Sequence, residues 1–392
     1  MVKVTGLFSQ VVSEICSRVN FEEFVAKHNA ERASKGFSCK TQLVSMLFCH
    51  LAGADSLRAI SNGLLICNGK LSHLGIEKAP SRSTLSYANA HRPSEVYQDY
   101  FFALLNHYRK FSPMEHRKKR FRFKSKLYSF DSTTITLSLS LFPWASYRRA
   151  KGGVKVHVLL DHDDYMPEFV QITNAKVHDS KMSKTLSLKP GSIIVMDRGY
   201  VDYSQFNAWN AAGIRFVTRL KDNALFEKLC ERPVPFHRND LVSDEDIRLN
   251  SSRAKTAYPE KLRRVVVHND ENDEDLVLLT NDFDLSAATI ADIYKDRWEI
   301  ELFFKTLKQN LKVKTFVGTS ENALRIQLWT ALISLLVLKW LHYLSQAGWS
   351  FANMATMFRL SLFTYRALMD WLREPVKTPP IVPEDVQGIL PF

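Results

Sequence analysis

The chain has 392 residues, 45% of them hydrophobic, with a formal net charge of +12. That apolar content excludes a disordered chain, and the length exceeds what a single core of ordinary size organises, so two or more folded units are expected. Five cysteines, odd in number and without Cys-x-x-Cys spacing, argue against a disulfide framework or a zinc site and fit a reducing cytoplasm.

Residues 1–106 read as a helical N-terminal domain. Apolar residues recur at helical spacing from Thr41 to Leu51, Gly53-Ala54-Asp55 breaks the pattern, and Ser56 to Leu65 starts a new helix. A further helix can start after Pro80-Ser81. Short turns between helices fit a helix-turn-helix DNA reader or a plain bundle, and the sequence leaves both open. No long apolar core marks the first ten residues, so no signal peptide is expected. Residues 107–126 then form a basic linker holding nine Lys or Arg and one Glu, with Arg117, Lys118, Lys119 and Arg120 at its centre. Most of the net charge therefore sits in one block, which favours a polyanion; Phe111, Phe121 and Phe123 between the cations add surfaces for base stacking. A solvated linker is the plainer reading.

From residue 127 the period changes to that of strands. Val154 to Leu160 alternates, and Phe169 to Thr173 can pair with it across a turn holding Asp161, Asp163 and Asp164, expected to be solvated. Ile193 to Asp197 is a short buried strand; a helix from Ser204, Gly213 and a strand from Ile214 to Leu220 complete a parallel βαβ unit. Residues 223–285 are polar and charged, with strands expected at 262–268 and 276–280 across an acidic turn, a β-rich insertion. Ser286 is a helix N-cap, and beyond Gly318 the chain is helical and apolar to about Arg373, before a Pro-containing tail. Leu328 to Leu338 is too short to span a bilayer and reads as a buried helix.

Three carboxylates stand out. Asp131 interrupts the apolar, β-branched stretch 127–135, and Asp197 ends the run from Ile193. Asp is disfavoured inside strands, and a buried carboxylate needs a partner or a metal. Glu301 lies on a helix placed over residues 289–309. With Tyr294 as zero, Arg297 falls at roughly −60°, Lys308 at roughly −40°, Glu301 at roughly −20° and Lys305 at roughly +20°. A polar stripe thus runs beside the apolar stripe of Ile293, Ile300, Phe304 and Leu307, with Trp298 at its margin and Glu299 facing away. The plain alternative is a surface face of i,i+4 ion pairs. His157 and His178 flank the proposed strands and read as structural. Two strand carboxylates and one helix carboxylate would cage hard divalent cations.

The spacing Tyr294-x2-Arg297-x3-Glu301-x6-Lys308 resembles the Tyr-Arg-Glu-Lys signature of the DDE transposases of bacterial insertion sequences, specifically the insertion-sequence-four family. Asp131-Ser132-Thr133 looks like that family's first catalytic motif and Asp197-Arg198-Gly199-Tyr200 like its second. Gly213 to Arg219 and Gly153 to His157 also match in kind, so the resemblance spans about residues 127–345. It implies an α/β protein with an RNase H-like catalytic core (127–222 and 286–345), the β-rich insertion at 223–285, and a helical C-terminal region and tail at 346–392. By the same resemblance Asp131, Asp197 and Glu301 are the catalytic and metal-holding residues for two Mg²⁺ ions, with Mn²⁺ as a substitute. Tyr294, Arg297 and Lys308 would grip phosphates at the transposon tip, with Lys305, Trp298, Arg198 and the block Arg117 to Arg120 as further DNA contacts. The implied activity is cut-and-paste transposition by a homodimer in a synaptic complex with transposon ends and target DNA, in the cytoplasm at the nucleoid and away from membranes. A structure-specific nuclease of the same fold and a transposase-derived regulator without catalysis are the competing readings.

Overall fold

The computed structural model describes residues 5–32, 34, 36–67, 71–111, 121, 123–148, 151–234, 238–270, 272–310 and 316–379. Chain contacts divide it into two compact units: Met1–Met114 with Lys305–Phe392, and Glu115–Phe304.

The first unit opens with α1 (Leu7–Arg18), α2 (Phe21–Lys27), α3 (Cys39–Ala52), α4 (Leu57–Ile66), α5 (Arg82–His91) and α6 (Glu95–Phe111). Serines start three of them: the side chains of Ser38, Ser56 and Ser81 accept the amide N–H of Thr41, Ala59 and Thr84. These bonds satisfy donors that a helix end leaves open. Gly53 ends α3 in the left-handed region (φ 75°), where a side chain would be strained.

The second unit is built on one ten-stranded sheet. Its strands and helices in chain order are β1 (Leu127–Leu137), β2 (Ser146–Arg148), β3 (Lys151–Asp161), β4 (Met166–Asn174), α7 (Asp179–Met182), β5 (Ile193–Met196), α8 (Tyr203–Ala211), β6 (Arg215–Arg219), β7 (Phe226–Glu231), β8 (Leu241–Leu249), α9 (Ser252–Ala257), β9 (Leu262–Asn269), β10 (Glu274–Thr280) and α10 (Ala287–Asp296), after which α11 (Trp298–Asn310) begins. The sheet order is β2-β3-β1-β5-β6-β10-β9-β8-β7, with β4 also on β3. β1, β3 and β4 run antiparallel, whereas β1–β5 and β5–β6 are parallel. The expected β5–α8–β6 unit and the β3–β4 and β9–β10 hairpins are therefore present.

The polar segment 223–285 extends this same sheet, because β10 pairs with β6 (Leu278 opposite Arg219). Sequence reading missed β7, β8 and α9. β8 carries Asp244, Glu245 and Asp246, which look like a loop, yet all three are buried. Across the ladder Arg263 donates twice to Asp244 (2.8 and 2.7 Å), Arg264 donates to Glu245 (2.8 Å) and Lys261 to Asp246 (3.1 Å). Matched charge lets an acidic run enter a sheet. Asp161 also departs from expectation. It is 3% exposed, accepting from Lys126 (2.9 Å) and from the Asp163 amide, so it closes the β3–β4 turn rather than facing water.

The period of two sends alternate residues to opposite faces. Tyr128, Phe130, Ile194, Met196 and Phe216 pack with Phe206 and Trp209 of α8 on one side. Leu127, Ile193, Val195 and Val217 pack with Ile290, Ile293 and Tyr294 of α10 on the other. Ser286 caps α10 as expected. The single helix expected over 289–309 is interrupted at Arg297. The Arg297 amide bonds to the Tyr294 carbonyl (3.2 Å), and the Ile300 amide bonds to the Arg297 carbonyl (3.1 Å). Both are three-residue bonds, a tightened turn inside the rod.

The first unit resumes with α12 (Glu321–Leu344), α13 (Phe351–Ser361) and α14 (Leu368–Arg373). The core of α12 packs on α3, α5, α6, α13 and α14. It is long and apolar enough to cross a membrane, but is mostly buried within the fold, consistent with the buried helix expected there. The Phe8 amide bonds to the Leu362 carbonyl (2.8 Å), and the Gln10 side chain donates to the Arg366 carbonyl (2.6 Å). The two helical ends of the chain thus share one core through α12.

Candidate active site

Asp131 lies on β1 where pairing with β5 stops: Phe130 opposite Met196 is the last pair. It belongs to the sheet face that α10 covers, since Leu127 on the same alternation packs in that core. Asp197 follows β5 directly, at the strand's carboxyl end. Glu301 sits in the first turn of α11.

One side chain links two of the acids. Arg297 donates from Nη2 to Glu301 Oε1 (2.7 Å) and from Nη1 to Asp131 Oδ2 (3.5 Å). Its Nε is buried without a partner among the described residues. The Tyr294 hydroxyl donates to Asp197 Oδ1 at 3.4 Å, and Tyr294 itself is 8% exposed. Burial pushes the Tyr294 phenol up to about 12, so it remains a donor at neutral pH. The Asp131 carboxyl is pushed up to about 6, first by burial; the Ser132 amide and Arg297 work against the shift, and Glu301 and Asp197 add to it. Asp131 therefore feels both of the other acids. Burial opposes the charge on Arg297, but the neighbouring Tyr294, Glu301 and Asp131 raise its pKa on balance.

Hard oxygen donors with a shortage of nearby positive charge suit a divalent cation. Among the described residues no three His, Cys, Asp or Glu side chains form a ready metal cage, and Arg297 stands between Asp131 and Glu301. The donor chemistry fits a divalent ion.

Sequence reasoning missed the struts around this cluster. Ser129 Oγ lies 2.6 Å from His162 Nε2, and His162 Nδ1 lies 2.6 Å from Asp296 Oδ2. The residue types and order are those of a hydrolytic triad, but Ser129 is 0% exposed and no substrate reaches it. The relay instead ties β1, two residues before Asp131, to the last residue of α10, directly before Arg297. On the opposite face Ser132 Oγ donates to Asp179 (2.9 Å), which also accepts from Lys155 (3.0 Å). His157 is buried against Thr173 (2.9 Å), and burial lowers its pKa to about 4, in keeping with a structural role. The Tyr200 hydroxyl is buried without a hydrogen-bond partner among the described residues; burial and then Asp131 hold its pKa far up.

The other expected contacts are scattered in character. Trp298 is 56% exposed. Arg198 is paired with Asp222 at 2.7 Å. Lys305 is exposed and Lys308 half-buried on α11. Arg117, Lys118, Lys119 and Arg120 lie outside the described residues.

A family model described as Transposase DDE domain matches residues 122–337. A second, described as a domain of unknown function (DUF4372), matches residues 5–77. A Sinorhizobium fredii protein named as transposase y4zB is 34% identical over 264 residues, 67% of this chain and 71% of that one. A Geobacillus stearothermophilus protein, named as the transposase for insertion sequence element IS5377, is 31% identical over 255 residues, 65% of this chain and 67% of that one. In Synechocystis, a protein named as the transposase for insertion sequence element IS4SA is 27% identical over 301 residues, 74% of this chain and 81% of that one. With the DDE match spanning more than half of its length, the chain belongs to the DDE transposase family, the metal-dependent, DNA-cleaving transposases.

Proposed function

We propose that the protein is an insertion-sequence-four-type transposase that cuts the ends of its own element and joins them to target DNA, with Asp131, Asp197 and Glu301 as the catalytic carboxylates. The observation that carries this reading is the Arg297 guanidinium, which donates to both Asp131 and Glu301, with Tyr294 one turn earlier donating to Asp197. The strand order β4-β3-β1-β5-β6, three antiparallel strands followed by two parallel ones, supports an RNase H-like core. Asp197 at a strand's carboxyl end is where open α/β sheets place ligands.

Asp131, Asp197 and Glu301 would hold divalent ions, Mg²⁺ with Mn²⁺ as a substitute. Bound there, such ions supply activation of the attacking water or 3′-hydroxyl and charge relief on the leaving oxygen. The Tyr294 hydroxyl orients Asp197. Arg297 balances Asp131 and Glu301 in the resting site, and its planar fork suits a DNA phosphate when one arrives. Trp298 offers an exposed ring to an unpaired base. Lys305, Lys308, Arg198 and the block at 117–120 would add phosphate contacts whose strength falls with salt. Synapsis of two ends by a homodimer, in the cytoplasm at the nucleoid, completes the reading.

A supercoiled plasmid carrying the element's own ends tests it. In Mg²⁺ the wild type nicks the plasmid, while Asp131→Asn, Asp197→Asn and Glu301→Gln bind the DNA and leave it intact. Normal nicking by any of the three would remove that residue from the mechanism.

A further inference from the structure

The region matched by the domain of unknown function contains a bent helix pair that the catalytic reading does not use. α3 and α4 meet at 97° across the four-residue turn 53–56, which contains Gly53 with positive φ. Two helices at such an angle, joined by a short glycine-containing turn, have the geometry of a helix-turn-helix. α4 lies close on α3 because residue 63 is glycine: a Cβ there would fall 2.4 Å from Phe48 Cζ.

α4 divides cleanly into two faces. Leu57, Ile60 and Leu64 are buried. Arg58, Asn62 and Leu65 are exposed, and their spacing of four and three residues puts them on one stripe. The side chain of neither Arg58 nor Asn62 has an ion pair or hydrogen bond among the described residues. Leu65 is 59% and the adjoining Ile66 85% exposed, an unusual apolar surface for a short outer helix. Beside the N-terminus of α4 lies a recess of about 520 Å³ lined by Arg58, Arg82 and Ser86, with Asp55 the one acid at its wall among the described residues. Arg82, the exposed first residue of α5, likewise has no ion pair among the described residues.

We propose that α4 is a recognition helix that enters the major groove of duplex DNA, Arg58 and Asn62 reading base edges while Arg82 holds a backbone phosphate. An arginine fork fits the acceptor pair of guanine, and an asparagine amide fits the donor–acceptor pair of adenine. Leu65 and Ile66 suit thymine methyl groups. The positive charge of Arg58 and Arg82 complements the phosphates that flank the groove. This proposal rests on the DNA-acting role given above, and extends it by naming the surface that selects the sequence.

The test uses the full chain and a pool of randomised duplex DNA. Repeated selection by the wild type should enrich a short consensus. Affinities are then measured by anisotropy for the winning duplex and a shuffled one, over a range of salt. Arg58→Ala and Asn62→Ala should each lose roughly tenfold or more in preference for the winner, through loss of one base contact. Arg82→Ala should weaken both duplexes alike and flatten the salt dependence by about one ion. If Arg58→Ala does not fold, Arg58→Lys keeps the charge and loses the fork, with the same loss of preference expected. No consensus from the wild type, or an unchanged preference in the folded Arg58 and Asn62 variants, overturns the proposal. A nicking failure with a normal consensus would remove the catalytic reading and leave α4 as the reader; normal nicking without a consensus would do the reverse.

Discussion

Replacing Asp131 by asparagine should stabilise the protein at neutral pH while ending catalysis. The Asp131 carboxyl is pushed up from 3.8 to about 6, and its side chain is 20% exposed. A shift of that size corresponds to about 3 kcal/mol between the charged and neutral forms in the folded state, and residual solvent contact lowers this to about 2 kcal/mol. The folded protein binds the proton more tightly than the unfolded chain does, so ionisation costs stability. Stability contributed by this group is complete below about pH 4, falls as pH climbs to about 6, and stays lowered above. Asparagine resembles the protonated acid and carries no such cost. Asp131→Asn should therefore exceed the wild type by about 2 kcal/mol at pH 7.5 in EDTA, and the gap should close at pH 4. Guanidinium unfolding of both proteins at the two pH values measures it. A variant no more stable than the wild type at pH 7.5, or a gap independent of pH, would refute the account of this site as a group of carboxylates short of positive charge.

Divalent ions held by these acids would supply the missing charge, so millimolar Mg²⁺ or Mn²⁺ should raise the melting temperature of the wild type at pH 7.5. The rise should shrink at pH 5, where Asp131 takes up a proton, and should vanish in Asp131→Asn and Glu301→Gln. His162→Phe removes the centre of the Ser129–His162–Asp296 relay and leaves a buried acid short of a donor; a loss of about 3 kcal/mol in unfolding experiments is expected, together with slower nicking. Slower nicking without destabilisation would show that the relay does not strut the fold. Gly63→Ala places a methyl group against the Phe48 ring and should cost about 1–3 kcal/mol, recovered in part by the double variant with Phe48→Leu. An additive double variant would mean that α4 and α3 do not touch there.

Much of the second unit was legible because its local rules agree. The apolar run 193–196 became a buried strand, the alternation at 154–160 a strand as well, though one buried on both faces except at Lys155, and Ser286 a helix cap. Where reading failed, the cause was either a local irregularity that the residue pattern does not encode or a partner far along the chain. The tightened turn at Arg297 leaves no mark in the periodicity, since residues on both sides keep a helical pattern. His162 joins Ser129, 33 residues away, to Asp296, 134 residues away, and none of the three is unusual in its own neighbourhood.

Buried acids show why a site and a scaffold look alike in sequence. Asp131 and Asp244 each interrupt a strand, and each is ion-paired with an arginine. Asp244 takes two short, parallel bonds from Arg263, both side chains being 3% exposed. Fork-to-carboxylate geometry of that kind satisfies the charge, so the acid serves the sheet and has nothing left for a ligand. Asp131 shares a single arginine with Glu301, at 3.5 Å for its own part, and feels Asp197 as well. Its charge is only partly met. A protein that needed these residues for stability alone would do better with neutral ones, and that deficit is what a metal ion and a phosphate-bearing substrate are suited to relieve. The distinction lies in how many cations face each carboxylate, a quantity fixed by cross-strand register and helix placement rather than by the order of residues.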